Sequence, residues 1–249
     1  MAQSTWPILA LLLCQCEAYI AFKHFEKAHA NDGPLSLRSF IANYLVQGFG
    51  GLAMTRITPL PEEKVTPEIR AVYEHVATKY GKLVDPVTVI ANHLEVFRAY
   101  TKFEGWFAEA RQLDDKLKLL VTLKVASLIG CPFCMDLGSA EASSAGITQD
   151  QLRDLVAHAD SPLFTATQRL GLDYAVAMTS SPVNVPQSMF AQLAEILDSV
   201  QIIELTATIA WENYRSRFYH ALGIASHGFS DSACCLVQNA GSSPQARSM

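Results

Sequence analysis

The sequence predicts an all-α protein, and three observations support that class. Helix-capping signals recur along the chain, apolar residues between them repeat with helical spacing, and no stretch alternates polar and apolar residues as a strand does. Hydrophobic residues make up 50% of the 249 residues and charged residues 17%, which excludes a disordered chain. The net charge of −5 and the lack of a basic block exclude nucleic acid as an expected partner.

The first 55 residues form a predicted hydrophobic or amphipathic helical extension. The purely apolar part of the run from Trp6 to Phe22 is shorter than the roughly 20 residues that span a bilayer. The run has neither the basic leader nor the cleavage site of a secretory signal. Two interpretations stand: the extension packs on its own protein or on another subunit, or residues 5–22 touch a membrane. We expect the rest of the chain to be cytoplasmic in both cases.

Residues 56–65, which contain Pro59 and Pro61, form a predicted linker to a helical domain over residues 66–228. Capping signals and apolar periodicity predict helices in that domain at 66–80, 85–110 with a break near 92–95, 114–130, 131–145, 148–158, 165–179, 186–197 and 199–224. The last residues, 229–249, are rich in Ser, Gln and Gly, which predicts a frayed tail.

Six cysteines occur in three close pairs, and only Cys131 and Cys134 have the C-x-x-C spacing. A structural zinc site normally takes four ligands, and neither a second C-x-x-C pair nor a closely spaced histidine pair follows, so zinc is a minor alternative. We expect no metal and no cofactor. Six cysteines are also too few for a disulfide-rich secreted scaffold of this length.

The C-x-x-C pair is predicted at the N-terminus of a helix. Gly130 ends one predicted helix, Pro132 suits the first turn of the next, and residues three apart share a helix face. The helix dipole favours a thiolate there, but it supplies only about 0.3–1 kcal/mol, which is less than one pKa unit. A reactive thiolate therefore needs another positive or proton-accepting neighbour. The alternative is a pair of inert buried cysteines; a thioredoxin-like site is excluded because no βαβ unit surrounds the motif.

Two stretches resemble a known family. Residues 113–155 contain the run from Leu119 to Cys134 and then the run from Ala142 to Thr148, and they resemble the carboxymuconolactone decarboxylase/alkylhydroperoxidase D-like family. The later run from Glu204 to Ile224 resembles the helix that follows in many members. The likeness covers roughly residues 60–228.

The resemblance implies an all-helical domain that assembles as homo-oligomers, either trimers or hexamers. For the peroxidase branch it implies a dithiol that reduces hydroperoxides or passes electrons to a peroxiredoxin. Cys134 would be the attacking thiolate and Cys131 the resolving partner, and a thiol or disulfide electron donor would restore the dithiol.

Two residues depart from the peroxidase branch. That branch carries Glu twelve residues before its first cysteine and His four residues after its second, whereas this chain has Leu119 and Gly138. General acid–base catalysis contributes roughly 10²–10⁴ in rate, so a peroxidase built on this chain needs replacements for both groups.

The late helix supplies the predicted replacements. We predict that His220, with Glu212 or Arg217, approaches the dithiol across a helix interface, in space that Gly138 leaves free. The alternative is that Glu212, Arg215 and Arg217 form structural ion pairs, since residues three or four apart are neighbours on a helix.

The sequence therefore favours a thiol-dependent peroxidase or disulfide reductase that acts on hydroperoxides through Cys131 and Cys134. Two alternatives stay open. One is a decarboxylase or isomerase of a small organic acid in the same helical pocket, and the other is a non-enzymatic oligomeric scaffold with a vestigial dithiol.

Overall fold

The structure, a computed structural model, describes residues 55–230, and these form a helical domain that contains no strand. A 3-10 turn at Glu62–Lys64 precedes nine α-helices in this part of the chain: α1 Pro67–Tyr80, α2 Asp85–Ile90, α3 Leu94–Glu109, α4 Asp115–Ile129, α5 Pro132–Glu141, α6 Gln149–Asp154, α7 Ala166–Thr179, α8 Gln187–Ile196 and α9 Ser199–Leu222. The predicted all-α class is confirmed. The predicted extension, apart from residue 55, and the tail from residue 231 lie outside the described residues.

Local capping signals fix most helix starts. The Thr66 hydroxyl accepts a hydrogen bond from the backbone N–H of Ile69, with Pro67 in the first turn of α1. The predicted capping box of α6 is present, because Thr148 and Gln151 each bind the other's backbone N–H.

Two helices end earlier than predicted. Helix α5 stops at Glu141 rather than at residue 145, and tight turns that include Ser143 carry the chain to Gly146. Helix α6 stops at Asp154 rather than at residue 158. Just beyond its end, the ammonium of a lysine from α4 binds the next two backbone carbonyls, which no local sequence signal indicates.

Helix α4 is the centre of the domain. It packs against α9, α7 and α5, and every residue from Leu120 to Ser127 is buried. Most of its buried residues are apolar, as a central helix requires, and the buried Lys118 and Lys124 are exceptions with partners of their own. Among the helices of residues 55–230, none combines the length and the apolar character that crossing a bilayer requires.

The predicted linker of residues 56–65 packs along the helices. The backbone N–H of Arg56 donates to the carbonyl of Leu222 at 2.8 Å, and that of Leu60 donates to Thr88 at 2.8 Å. The Tyr73 hydroxyl donates to the carbonyl of Leu60 at 2.9 Å. These contacts hold the start of the described chain beside the end of α9.

A buried ion pair ties the end of α3 to α4 and α9. The Lys118 ammonium lies 3.2 Å from the Glu204 carboxylate and also donates to the carbonyls of Phe107 and Ala110. The second oxygen of Glu204 accepts the backbone N–H of Leu113 at 3.2 Å and that of the residue before it. Both charged groups are therefore saturated with partners inside the protein, as buried charges require.

Replacement of Lys118 by Met is expected to lower the free energy of unfolding by about 3–5 kcal/mol, because Glu204 keeps a buried charge without its cation. Urea unfolding at neutral pH measures the change. The matched control is Arg111→Ala, which removes an exposed pair with Asp115 at 3.9 Å and is expected to cost at most about 1 kcal/mol. Equal losses in the two variants would contradict this account.

A second buried lysine, Lys124, closes the end of α6. Its ammonium donates to the carbonyls of Leu155 and Val156 at 3.1 Å and 3.0 Å. Burial lowers the pKa of Lys124 from 10.5 to about 8, and the nearby Asp173 carboxylate opposes that shift. Between these two pH values the unfolded chain binds more protons at this lysine than the folded chain does.

The contribution of Lys124 to the free energy of unfolding is therefore expected to rise between about pH 8 and pH 10.5. We expect Lys124→Met to lose that rise while it adds a pH-independent penalty for two unpaired carbonyls. Urea unfolding of both proteins at several pH values in this window gives the difference curve. A difference that stays constant with pH would contradict the assignment.

Candidate active site

The cysteine pair lies where α4 ends and α5 begins. Gly130 ends α4 with φ of 80°, a left-handed conformation that glycine adopts without strain. Cys131 is the N-cap of α5, and Pro132 follows it in the first turn. The Sγ of Cys131 accepts a hydrogen bond from the backbone N–H of Cys134 at 3.2 Å. The predicted placement of both sulfurs at a helix N-terminus is confirmed.

The two sulfurs are bonded to each other and differ in accessibility. A disulfide joins Cys131 to Cys134, and their Cα atoms lie 5.4 Å apart. Cys131 is 0% exposed and belongs to an apolar cluster with Phe133 and Tyr219, whereas Cys134 is half-buried. Of the two cysteines, only Cys134 therefore has solvent-exposed surface.

Helix α9 brings a polar pair to the sulfur of Cys134. The Oγ of Ser216 lies 3.6 Å from the Sγ of Cys134 and donates a hydrogen bond to Oε1 of Glu212 at 2.7 Å. Glu212 precedes Ser216 by four residues, so both side chains lie on the same face of α9. Ser216 has one hydroxyl hydrogen, so in the disulfide form it can donate either to the sulfur or to the carboxyl group. In the reduced form the Cys134 thiol supplies a second hydrogen, which would complete a path from the sulfur through the hydroxyl to the carboxyl group.

The carboxyl group of Glu212 is 0% exposed. The guanidinium of Arg215 donates to its Oε2 from Nε at 2.9 Å. Burial raises the pKa of Glu212, and the charge of Arg215 and the hydrogen bond from Ser216 oppose that shift without cancelling it. A carboxyl group with a raised pKa accepts a proton from a thiol more readily than an ordinary, exposed one.

The structure brings three of the five predicted site residues together: Cys131, Cys134 and Glu212. The other two, Arg217 and His220, have exposed side chains. Arg217 binds the side-chain oxygen of Asn213 and the carbonyl of Thr179. Within residues 55–230, no hydrogen bond joins Arg217 or His220 to either sulfur.

The space predicted beside Gly138 is already filled. A Cβ atom placed on Gly138 would lie 2.7 Å from Cδ2 of Leu123 and 3.7 Å from Cδ1 of Leu119. The expectation that Gly138 leaves room for His220 is therefore wrong, because α4 and α5 are in close apolar contact at this point. The resemblance implies Glu and His at positions 119 and 138 for the peroxidase branch. In this chain Leu119 and Gly138 stand there, and both take part in the apolar contact.

Sequence reasoning missed two residues of the site, Ser216 and Glu104. The sequence could have indicated Ser216, because it follows Glu212 by one helical turn and so shares its face of α9. No sequence pattern indicates Glu104, because it reaches the site from α3 through an ion pair with Arg215. The predicted pairing of Glu212 with Arg215 is present.

Within residues 55–230, no cluster of three or more His, Cys, Asp or Glu side chains forms a candidate metal site.

Asp136, in the first turns of α5, holds the chain that follows α9. Its carboxylate is fully buried and accepts hydrogen bonds from the Ser226 hydroxyl at 2.9 Å and from the backbone N–H groups of His227 and Ser230, both at 2.8 Å. The His227 ring packs edge-on against Phe133, next to the dithiol. Asp136 thus fixes residues 226–230 against α5.

Comparison with solved structures identifies the fold. A protein from Ralstonia eutropha JMP134, described as an uncharacterised peroxidase-related protein with an alkylhydroperoxidase AhpD core, superposes with a TM-score of 0.64 at 16% identity, covering 71% of this chain and 94% of that one. The debrominase Bmp8 superposes with a TM-score of 0.64 at 18% identity, covering 72% and 97%. The fold is that of the alkylhydroperoxidase D-like proteins.

The sequence comparisons give the family. The pattern of the Carboxymuconolactone decarboxylase family matches residues 94–177. The uncharacterised Escherichia coli protein YnjA is 31% identical over 150 residues, which cover 60% of this chain and 82% of YnjA. The chain belongs to the carboxymuconolactone decarboxylase/alkylhydroperoxidase D-like family.

Replacement of Gly138 by Ala tests the α4–α5 contact. We expect it to lower the free energy of unfolding by about 1–3 kcal/mol, because the added methyl group displaces the fully buried Leu123 side chain. The matched control is Gly105→Ala in α3, where nothing lies within 4 Å and the higher helix propensity of Ala adds about 0.5–1 kcal/mol. Chemical denaturation measures both; a stabilised Gly138→Ala protein would contradict the contact.

Proposed function

We propose that the protein is a thiol-dependent peroxidase or disulfide reductase, with Cys134 as the attacking thiolate and Cys131 as the resolving partner. The observation that carries the proposal is the path from Cys134 through Ser216 to Glu212, because it places a proton acceptor one hydroxyl away from the accessible sulfur. Membership of the family and the fold shared with a peroxidase-related protein fit a general antioxidant role.

The first half of the proposed cycle oxidises Cys134. The thiol proton passes to Oγ of Ser216 while the Ser216 proton passes to Glu212, which leaves a thiolate. The thiolate attacks the terminal oxygen of a hydroperoxide, the O–O bond breaks, and the OH group is transferred to sulfur as a sulfenic acid. The departing alkoxide takes the proton held by Glu212 and leaves as an alcohol.

The second half restores the dithiol. The sulfur of Cys131 attacks that of Cys134, the S–S bond forms as the S–O bond breaks, and the hydroxide leaves as water with the proton of Cys131. An external dithiol then attacks Cys134, releases Cys131 as a thiol, and finally releases Cys134 as it closes its own disulfide. The donor supplies the two electrons and two protons that the peroxide consumes.

The magnitudes favour the relay over the helix start as the main source of reactivity. The dipole at the N-terminus of α5 contributes about 0.3–1 kcal/mol to thiolate stability. Proton transfer by a positioned group contributes roughly 10²–10⁴ in rate, which corresponds to about 3–5 kcal/mol. Ser216 and Glu212 therefore take over the role that the Glu and His of the peroxidase branch would have had at positions 119 and 138.

The proposal includes assembly as a homo-oligomer, a trimer or a hexamer, as the family resemblance implies. Two other functions serve as outcomes of the test: action on a small organic acid, and a scaffold without activity. A variant of the debrominase Bmp8 has been crystallised with 2,3,4-tribromopyrrole, and that compound is a useful comparison substrate.

Thiol loss on addition of peroxide tests the two cysteines. The background protein has its other four cysteines replaced by serine: Cys14, Cys16, Cys234 and Cys235. With one equivalent of cumene hydroperoxide we expect loss of both thiols and formation of the Cys131–Cys134 disulfide. Cys131→Ser is expected to stop at a sulfenic acid that dimedone traps on Cys134, and Cys134→Ser to consume no peroxide. Intact and peptide mass spectrometry measure each product.

Two results would overturn the assignment. One is peroxide consumption by the Cys134→Ser protein at the rate of the background protein. The other is turnover of a lactone acid or of tribromopyrrole by a protein that lacks both Cys131 and Cys134, which would favour chemistry independent of the dithiol.

The relay is tested by Ser216→Ala and Glu212→Gln. Each is expected to lower the second-order rate of peroxide reduction by roughly 10²-fold or more, because the thiol proton loses its acceptor. The control is Ser139→Ala in α5, whose buried hydroxyl has no hydrogen-bond partner within residues 55–230. We expect its rate to match the background protein. Stopped-flow peroxide consumption measures all three, and unchanged rates in both relay variants would remove α9 from the chemistry.

A further inference from the structure

Glu104 reaches the candidate site from a helix that carries none of the reacting groups. It lies on α3 with its side chain 29% exposed, and its Oε1 accepts the indole N–H of Trp211 at 3.0 Å. The Nη1 of Arg215 donates to both of its oxygens, at 3.1 Å and 3.3 Å. Two donors from α9 thus fix the carboxylate, one neutral and one charged.

Arg215 is shared between two carboxyl groups of different depth. Its side chain is 15% exposed, its Nε and Nη2 bind Glu212, and its Nη1 binds Glu104. The guanidinium lies over the ring of Phe107, 4.6 Å from the ring centre, which restricts its movement. Burial disfavours the charge on Arg215, but Glu212 and Glu104 outweigh that cost and hold the pKa of Arg215 well above its usual range. The guanidinium therefore stays charged throughout the working pH range.

We infer that Glu104 is a positioning residue of the thiol relay: by sharing Arg215, it limits how strongly that cation holds negative charge on Glu212, and so leaves Glu212 able to take a proton from Ser216. The inference rests on the proposed function and deepens it. It assigns a role to a residue that touches neither the sulfurs nor Ser216. A single cation that faced Glu212 alone would favour the ionised carboxylate more strongly and make it a poorer proton acceptor.

Other charged and titratable groups around this cluster come from the helices packed against it. Glu141 of α5 interacts electrostatically with Glu104 and Arg215, and Lys79 of α1 interacts with Glu104 and Glu141. The buried hydroxyls of Tyr100 on α3 and Tyr219 on α9 form a hydrogen-bonded pair near the same charges. All four groups stay in place in the variants below, so a difference between variants reports on the charge of Glu104.

The test is Glu104→Gln, which keeps an oxygen for the Trp211 indole and removes the charge. Reduced protein in the four-serine background is alkylated with iodoacetamide across the pH range, and mass spectrometry gives the rate at Cys134. In this variant Arg215 has Glu212 as its one remaining partner of this carboxylate pair, so Glu212 should lose its proton at lower pH. The acid limb of the curve of alkylation rate against pH should therefore shift downward by up to about one pH unit. The plateau rate should also fall, because the weaker base leaves less charge on the sulfur.

The matched control is Glu109→Gln, which removes the same charge from an exposed position of α3. We expect its profile to match the background protein. A Glu104→Gln profile that falls equally at every pH, or that does not differ from the Glu109→Gln profile, would show a purely structural role and overturn the inference.

A double-mutant cycle separates the sharing of Arg215 from a general effect of the charge on Glu104. If Glu104→Gln unfolds, Glu104→Asp takes its place in both backgrounds, because the shorter side chain withdraws the carboxylate from Arg215 and should move the acid limb in the same direction. Arg215→Lys retains the cation but not the geometry that binds two carboxylates at once. In that background the change from Glu104 to Gln should move the acid limb much less than in the parent; an equal movement would overturn the inference. Alkylation does not depend on peroxide turnover, so a failed peroxidase assay and a failed role for Glu104 give different results.

Discussion

Burial of the Glu212 carboxyl group is the constraint on which the rest of the site depends. An ionised carboxylate without exposure is tolerated only when a cation and hydrogen bonds replace its water, and Arg215 and Ser216 supply them. The alternative for such a group is to hold a proton. At neutral pH, burial brings the protonated and ionised forms of the carboxyl group closer in free energy than they are on a surface. A carboxyl group for which both forms are accessible can exchange a proton with a thiol.

That constraint extends through three helices. Arg215 forms an ion pair with Glu212 within α9 and a second ion pair with Glu104 of α3. The end of α3 is itself fixed by Lys118 of α4, which binds the carbonyl of Phe107, the residue whose ring lies beneath Arg215. The charged groups therefore form a connected set, and the position of the Glu212 carboxyl group depends on contacts far along the chain from the cysteines.

Prediction from sequence succeeded where the determining contacts are local. Thr66 and Thr148 bind backbone groups three residues away, so their patterns alone locate helix starts. The ends of α5 and α6 were predicted too late because tight turns and Lys124, a residue distant in sequence, set them. The start of α5 is also set by local residues, because Gly130 ends α4 and Pro132 occupies the first turn of α5.

Within the site, the choice among residues of α9 depended on tertiary packing. Glu212, Ser216 and His220 follow one another at intervals of four, so they share one side of the helix in sequence. Glu212 and Ser216 are buried, whereas His220, near the last turn of the helix, is exposed. Sequence periodicity gives the shared side of the helix but not the point where the neighbouring helices stop covering it, and for that reason the sequence favoured His220, which lies past that point.

The close contact at Gly138 explains why the proposed proton acceptor comes from α9. With no side chain at this position, α5 lies against Leu123 of α4, and the space for a relay built between these two helices is gone. The same approach sets the position of the first turns of α5, where Cys134 faces Ser216 at 3.6 Å. Packing and the proposed chemistry are linked at this residue, since a side chain large enough to serve as a relay at 138 would have to displace Leu123 or shift the helix that carries Cys134.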